Sequence, residues 1–158
     1  MAEQSVTLNV GSIVLAPGFA LTDPAIREEY GYTHYPNVVT SLEFERILSA
    51  SGPYQGHIKR PSDEAEPERI AWIQCVGSRD GSCGKGYCSS VCCMYATKEA
   101  IIAREHASGI QPTIFYMDIR AHGKGFDKYY ERARDEYGVR YISCQISRIV
   151  EKLSLIHI

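Results

Sequence analysis

Apolar and polar residues alternate along Val6-Thr7-Leu8-Asn9-Val10, and Ser12 to Ala16 is a short apolar run. A period of two places one face of a strand in the core, so both segments are predicted as β-strands. They meet near Gly11 and end at Ala16-Pro17-Gly18. Thr22-Asp23-Pro24 and Tyr35-Pro36-Asn37 are turn signals. Thr40 with Glu43 forms a capping box and predicts a helix over Ser41 to Ala50. Three Pro, two Gly and mixed charge from Ser51 to Pro67 read as a connector.

The pattern then changes period. Arg69 to Val76 predicts a buried strand, Gly77 to Tyr87 a loop with four Gly, and Ser89 to His106 a helix capped by Ser89 or Ser90. Thr113 to Asp118 is a second strand. Phe126, Tyr129, Tyr130, Ala133 and Tyr137 form one stripe of a second helix, Phe126 to Tyr137, with Gly138 placed to end it. Val139 to Ile142 is a third strand and Ser147 to Lys152 a fourth. Alternating strands and helices imply an α/β fold, a Rossmann-like β-α-β-α-β unit with parallel strands.

A length of 158 residues corresponds to about one domain, and 44% apolar with 23% charged residues is an ordinary globular composition. Seventeen Lys and Arg against 19 Asp and Glu leave a net charge of −2, so no basic face is implied and nucleic acid is excluded as a partner. No apolar run reaches the roughly 18–20 residues of a membrane span. The start, Met-Ala-Glu-Gln-Ser, lacks the basic and apolar regions of a secretory leader. The expectation is a cytoplasmic protein in a reducing compartment, where disulfides are rare.

That makes six cysteines informative. Cys75, Cys83, Cys88, Cys92 and Cys93 fall within 19 residues. Cys75 ends the first predicted strand, where open α/β sheets place ligands. Cys88 and Cys92 are expected one helical turn apart at the start of the next helix, whose N–H groups favour thiolates. The spacing is C-x12-C-x3-CC. It lacks the two short-spaced pairs of common zinc sites, and adjacent cysteines fit a cuboidal cluster better than one small ion. An iron–sulfur cluster is favoured. An all-cysteine zinc site, thiol–disulfide chemistry and inert buried thiols stay open, and by spacing Cys83 can replace Cys75.

The same segment imitates a dinucleotide fingerprint, with Gly84-Lys85-Gly86 as G-x-G and Asp118 closing the second strand. The lengths disagree: Arg69 and Asp118 lie 49 positions apart, against roughly 30 for the fingerprint, and the loop is no tight turn. A nicotinamide-dependent reductase domain using Gly84, Gly86 and Asp118 is thus a rival reading.

Four stretches, IAWIQCVGSRD, YCSSVCCMYATKEAIIAREH, TIFYMDIRAHGKGFDKYYERARDEYGVRYI and NVVTSLEFERILSASGP, resemble the HdrA family, the A-subunits of heterodisulfide reductase. They also resemble its relatives in sulfate reducers, the A-subunits of the quinone-interacting oxidoreductase. The resemblance covers roughly residues 6–150. It implies an iron–sulfur flavoprotein oxidoreductase with a thioredoxin-reductase-like FAD domain, working with other subunits of a cytoplasmic electron-bifurcating complex. The family's C-xn-C-x3-CC motif carries over onto Cys75, Cys88, Cys92 and Cys93 as ligands of a [4Fe-4S] cluster and leaves Cys83 out. Ser12 to Gly18 resembles the segment closing the FAD half, which implicates Ala16 and Gly18. Pro17 stands where such segments carry Thr, so no hydroxyl contact is implied there. Lys98, in CCMYATK, resembles a lysine near the flavin.

The family's first Gly-rich FAD turn and its ferredoxin modules have no counterpart here, so the chain reads as a truncated fragment, inactive alone. Residues 1–50 are then the tail of the FAD subdomain, 51–68 a connector, and 69–152 the NAD-like subdomain carrying the cysteines. Leu153 to Ile158 match the translation of a transposon adapter and read as a non-native tail. Cys144 is expected as a small core residue, and His122 in a surface loop.

Overall fold

The computed structural model describes residues 3–151. Arg69–Ile73 (β1), Gln111–Tyr116 (β2) and Arg140–Ser143 (β3) form one sheet in that order. Both pairings are parallel, with Trp72 opposite Ile114 and Ile114 opposite Tyr141. Parallel neighbours need crossovers, and helices supply them. Cys92–His106 (α2) joins β1 to β2, and Phe126–Asp135 (α3) joins β2 to β3. The predicted β-α-β-α-β unit is therefore present as a small three-stranded α/β domain.

Two sequence signals act as read. Ser41–Leu48, the first helix (α1), starts at a complete capping box: the Thr40 hydroxyl accepts from the Glu43 N–H, and the Glu43 carboxylate accepts from the Thr40 N–H at 2.7 Å. Gly138 adopts φ +66, a region open to glycine, and Val139 N–H then returns to the Ala133 carbonyl.

α2 packs on β2, α1 and α3. Ala96, Ala100 and Ala103 on α2 are fully buried, and their small side chains admit the neighbouring elements closely. One core joins Phe44, Ile47 and Leu48 of α1 to Trp72, Ile101, Ile114 and Ala133. Ile58 of the 51–68 segment enters it at 2% exposure, a burial worth roughly 2–3 kcal/mol.

Several expectations are corrected. Residues 6–16 form no strand, and Val6, Leu8, Ile13, Val14 and Leu15 are exposed. A two-stranded ribbon is marginal without a sheet to cover, and no described strand pairs with this one. Residues 147–151 form no fourth strand. Ile149 N–H bonds to the Glu29 carbonyl and Tyr30 Oη–H to the Ile146 carbonyl, which ties this stretch to residues 29–30 and not to β3. Phe126 is exposed although it belongs to the predicted stripe of α3. Cys144 lies one residue beyond β3, half-buried, its N–H bonded to the Tyr116 carbonyl. Leu153–Ile158 lie outside the described residues. Among the described residues no helix is long and apolar enough to cross a membrane.

Candidate metal centre

β1 stops at Ile73, and two residues later Cys75 takes φ +63. Of five described non-glycine residues at positive φ, Cys75, Arg79 and Ser90 lie between β1 and α2. Such backbone costs about 1–3 kcal/mol per residue and concentrates at functional sites. The intervening loop is a small hairpin. Arg79 N–H bonds to the Tyr87 carbonyl at 2.9 Å, and Asp80 and Lys85 exchange backbone bonds. The hairpin foot returns Cys88 toward Cys75 and carries Cys83 to the tip. There Cys83 Sγ lies 3.5 Å from Asp80 Oδ2, in a single turn whose first N–H groups Asp80 caps. Arg27 pairs with Asp80 and holds that tip.

The predicted start of α2 is wrong by three residues. Ser90 sits at φ +66 and breaks the helix, which begins at Cys92 with Val91 as an N-cap that offers no side-chain bond. Cys88 is therefore in the loop, not one turn before Cys92 on a shared face. Its sulfur accepts the Ser90 N–H at 3.3 Å.

The uncapped start leaves backbone donors free for sulfur. A hydrogen bond from Cys93, and others from Ser89 and the Cys92 and Cys93 N–H groups, lower Cys92 to about 6 against the opposing effect of burial. The same bond holds Cys93 far above the ordinary thiol range, with burial adding to it, so the adjacent pair shares one proton. Cys93 Sγ also accepts the Arg120 N–H at 3.5 Å. Burial raises the Cys75 thiol, and the nearby charges of Cys92 and Cys88 push the same way, while Arg79 opposes. Asp118 binds both Arg79 (2.6 Å) and Arg120 (3.2 Å), and Arg120 also reaches Cys88.

Cys75 thus lies within electrostatic reach of Cys88, Cys92 and Cys93, and Cys83 is engaged elsewhere. Among the described residues no three His, Cys, Asp or Glu side chains close on a single ion. Donor chemistry fits a thiolate-ligated group: cysteine sulfur, helix N–H groups and two guanidiniums, both of which Asp118 also binds.

Other predicted residues are not brought to this centre. Gly84 ends the hairpin turn at φ +68, away from the start of α2, and Asp118 is occupied by two arginines. The dinucleotide reading loses both its phosphate turn and its ribose acceptor. Ala16 and Gly18 lie in the exposed N-terminal segment, and Lys98 on α2 is exposed and paired with Glu45 of α1. His122 is exposed in its loop. A cavity of about 430 Å³ opens at the strand ends, with Cys75 and Cys144 both in its lining.

The arginine pair on Asp118 and the buried Glu99 were missed in the sequence. Glu99 had a signal: it interrupts the small-residue stripe of Cys92, Ala96, Ala100 and Ala103.

No protein-family model matches the chain. Individual proteins do. The second iron–sulfur A-subunit of CoB–CoM heterodisulfide reductase from Methanopyrus kandleri is 54% identical over 142 residues, 90% of this chain and 22% of that protein. The corresponding iron–sulfur A-subunit of Methanocaldococcus jannaschii is 46% identical over 148 residues, 94% of this chain and 22% of that protein. The A-subunit of the H2/formate:CoB–CoM heterodisulfide,ferredoxin reductase of Methanococcus maripaludis is 47% identical, with the same coverage. The chain is homologous to a segment of HdrA, the heterodisulfide reductase A-subunit. It spans about a fifth of the length of these relatives. The resemblance to the HdrA family read from the four sequence stretches is thereby borne out.

Proposed function

We propose that the chain is an electron-transfer segment of a heterodisulfide reductase-type oxidoreductase, with a [4Fe-4S] cluster on Cys75, Cys88, Cys92 and Cys93. What supports this is that Cys75 after β1 lies within electrostatic reach of Cys88, Cys92 and Cys93, with Cys92 lowered to about 6 at the uncapped start of α2. Three relatives are named iron–sulfur subunits, which supports the same reading. When bound, the cluster supplies one-electron chemistry. The chain's own part is to hold sulfur as thiolate, to bracket it with Arg79 and Arg120, and to keep Cys92 and Cys93 from bulk water.

FAD belongs to the proposal through Ala16, Gly18 and Lys98. Lys98 and Glu45 form a charged pair on the α1–α2 surface, suited to polar atoms of a flavin. The N-terminal segment needs a partner sheet before Ala16 and Gly18 can line anything. The remaining FAD contacts, the other subunits of the complex and a cytoplasmic setting are part of the same proposal.

Anaerobic reconstitution tests it. The expected product holds about four iron and four sulfide per chain and a broad visible absorption that bleaches on one-electron reduction. Cys88→Ala abolishes that absorption and Cys83→Ala retains it. A colourless chain with tightly held zinc, or loss of iron on Cys83→Ala with retention on Cys75→Ala, overturns the assignment.

A further inference from the structure

Glu99 is a carboxyl group 1% exposed, in the third turn of α2. Trp72 Nε1–H donates to its Oε2 at 2.7 Å, and its Oε1 has no hydrogen-bond partner among the described residues. The charges facing it are Glu45 from α1 and Lys98 on α2 itself, and β1 offers only the Trp72 indole. Tyr95, one turn earlier on α2, senses both Glu99 and the Cys92–Cys93 pair. A buried carboxylate with one neutral donor is costly, and protonation relieves the cost. A proton on Oε1 also turns the orphaned acceptor into a hydroxyl.

We propose that Glu99 is a proton-exchanging site linked by charge to the cysteine centre, its proton occupancy rising when that centre gains one electron. This rests on the electron-transfer reading of the cysteines. The electron comes from an external one-electron reductant. The proton comes from water and forms an O–H bond at Glu99, and no bond to sulfur changes. Cys92 and Glu99 are seven residues apart on one helix, roughly 10 Å along its axis. A unit charge at that distance moves a carboxyl by about one pH unit at protein-like dielectric. Lys98 and Glu45, at the surface beside Glu99, mark the route to solvent.

Trp72 is the one tryptophan in the chain and touches the carboxyl, so its emission reports ionisation there. The expected result on the full chain is a single emission transition in the neutral range, absent in Glu99→Gln. A flat wild-type titration, or the same transition in the variant, overturns the proton site. In the iron–sulfide-loaded chain, reduced-minus-oxidised infrared spectra are expected to gain a protonated-carboxyl band that Glu99→Gln lacks. A bleached centre with no such band overturns the linkage. Should no cluster assemble, the cluster reading fails, and Cys92→Ser decides the linkage in its place. Removing the thiolate charge lowers the emission midpoint if the two sites are coupled, and an unchanged midpoint overturns the coupling.

Discussion

The first and third turns of α2 treat negative charge in opposite ways. Cys92 and Glu99 lie on one helix and one buried side, at 7% and 1% exposure. Cys92 is lowered to about 6, whereas Glu99 is raised to about 7. Hydrophobicity does not separate them, because both are desolvated. Donors do. In the first turn the backbone N–H groups have no intrahelical partner and turn to sulfur. In the third turn every N–H is already committed to a carbonyl, and one indole is all that remains for the carboxylate. A helix stabilises an anion at its start and leaves one in its middle to find a proton.

Glu99→Gln carries the largest expected effect. The folded carboxyl titrates near 7 and the unfolded one near 4.5, so between those values the folded chain holds a proton the unfolded chain has released. Stability therefore falls as pH rises through that window and is flat above it. The span is worth about 3 kcal/mol at most. Denaturant unfolding of the metal-free chain should show this falling limb, and Glu99→Gln should remove it. A limb that survives the substitution would break the contrast between the two turns.

Cys92→Ser removes the opposite limb. The folded thiol titrates near 6, below its unfolded value of 9.0, so stability rises with pH between them. Wild-type stability should thus pass through a minimum near neutral pH. Cys92→Ser is expected to keep the acid-side fall and lose the alkaline rise, read from the same unfolding series.

Thr40→Ala sharpens the comparison from a third helix turn. α1 satisfies its first N–H groups with its own capping box, so no external anion is needed there. Loss of the cap should cost about 1 kcal/mol with the two pH limbs unchanged in position. A shift of either limb would mean that α1 and α2 share their electrostatics more closely than their packing implies.

The sheet unit was legible because its three strands read as short apolar runs alternating with helical segments, and α3 and α1 announced themselves by stripe and cap. The beginning of α2 was not. Ser89 and Ser90 have the composition of N-caps, and only the backbone shows that Ser90 turns left-handed and delays the helix to Cys92. The cysteine set was legible by spacing and family resemblance, yet spacing alone could not choose between Cys75 and Cys83. That distinction comes from Asp80, whose turn and pairing with Lys85 carry Cys83 away to the hairpin tip. The exposed strand-like segment 6–16 has the right period and lacks a sheet, which no local pattern reveals.

Lys98→Ala carries the smallest effect and tests the solvent side of Glu99. Lys98 and Glu45 are both substantially exposed, so their pairing contributes only about 0–1 kcal/mol and weakens with salt. Its electrostatic consequence is separable from that. Lys98 lowers Glu99, and Glu45 raises it. Removing the lysine leaves Glu45 unopposed, so the Trp72 emission midpoint should move upward by a few tenths of a pH unit at low salt, and by less as salt is added. Glu45→Gln should move it downward. Opposite shifts of similar size would show that the third turn of α2 responds to the surface pair by charge. Equal shifts in one direction would point to repacking of Trp72, and the route from Glu99 to solvent would have to be sought elsewhere.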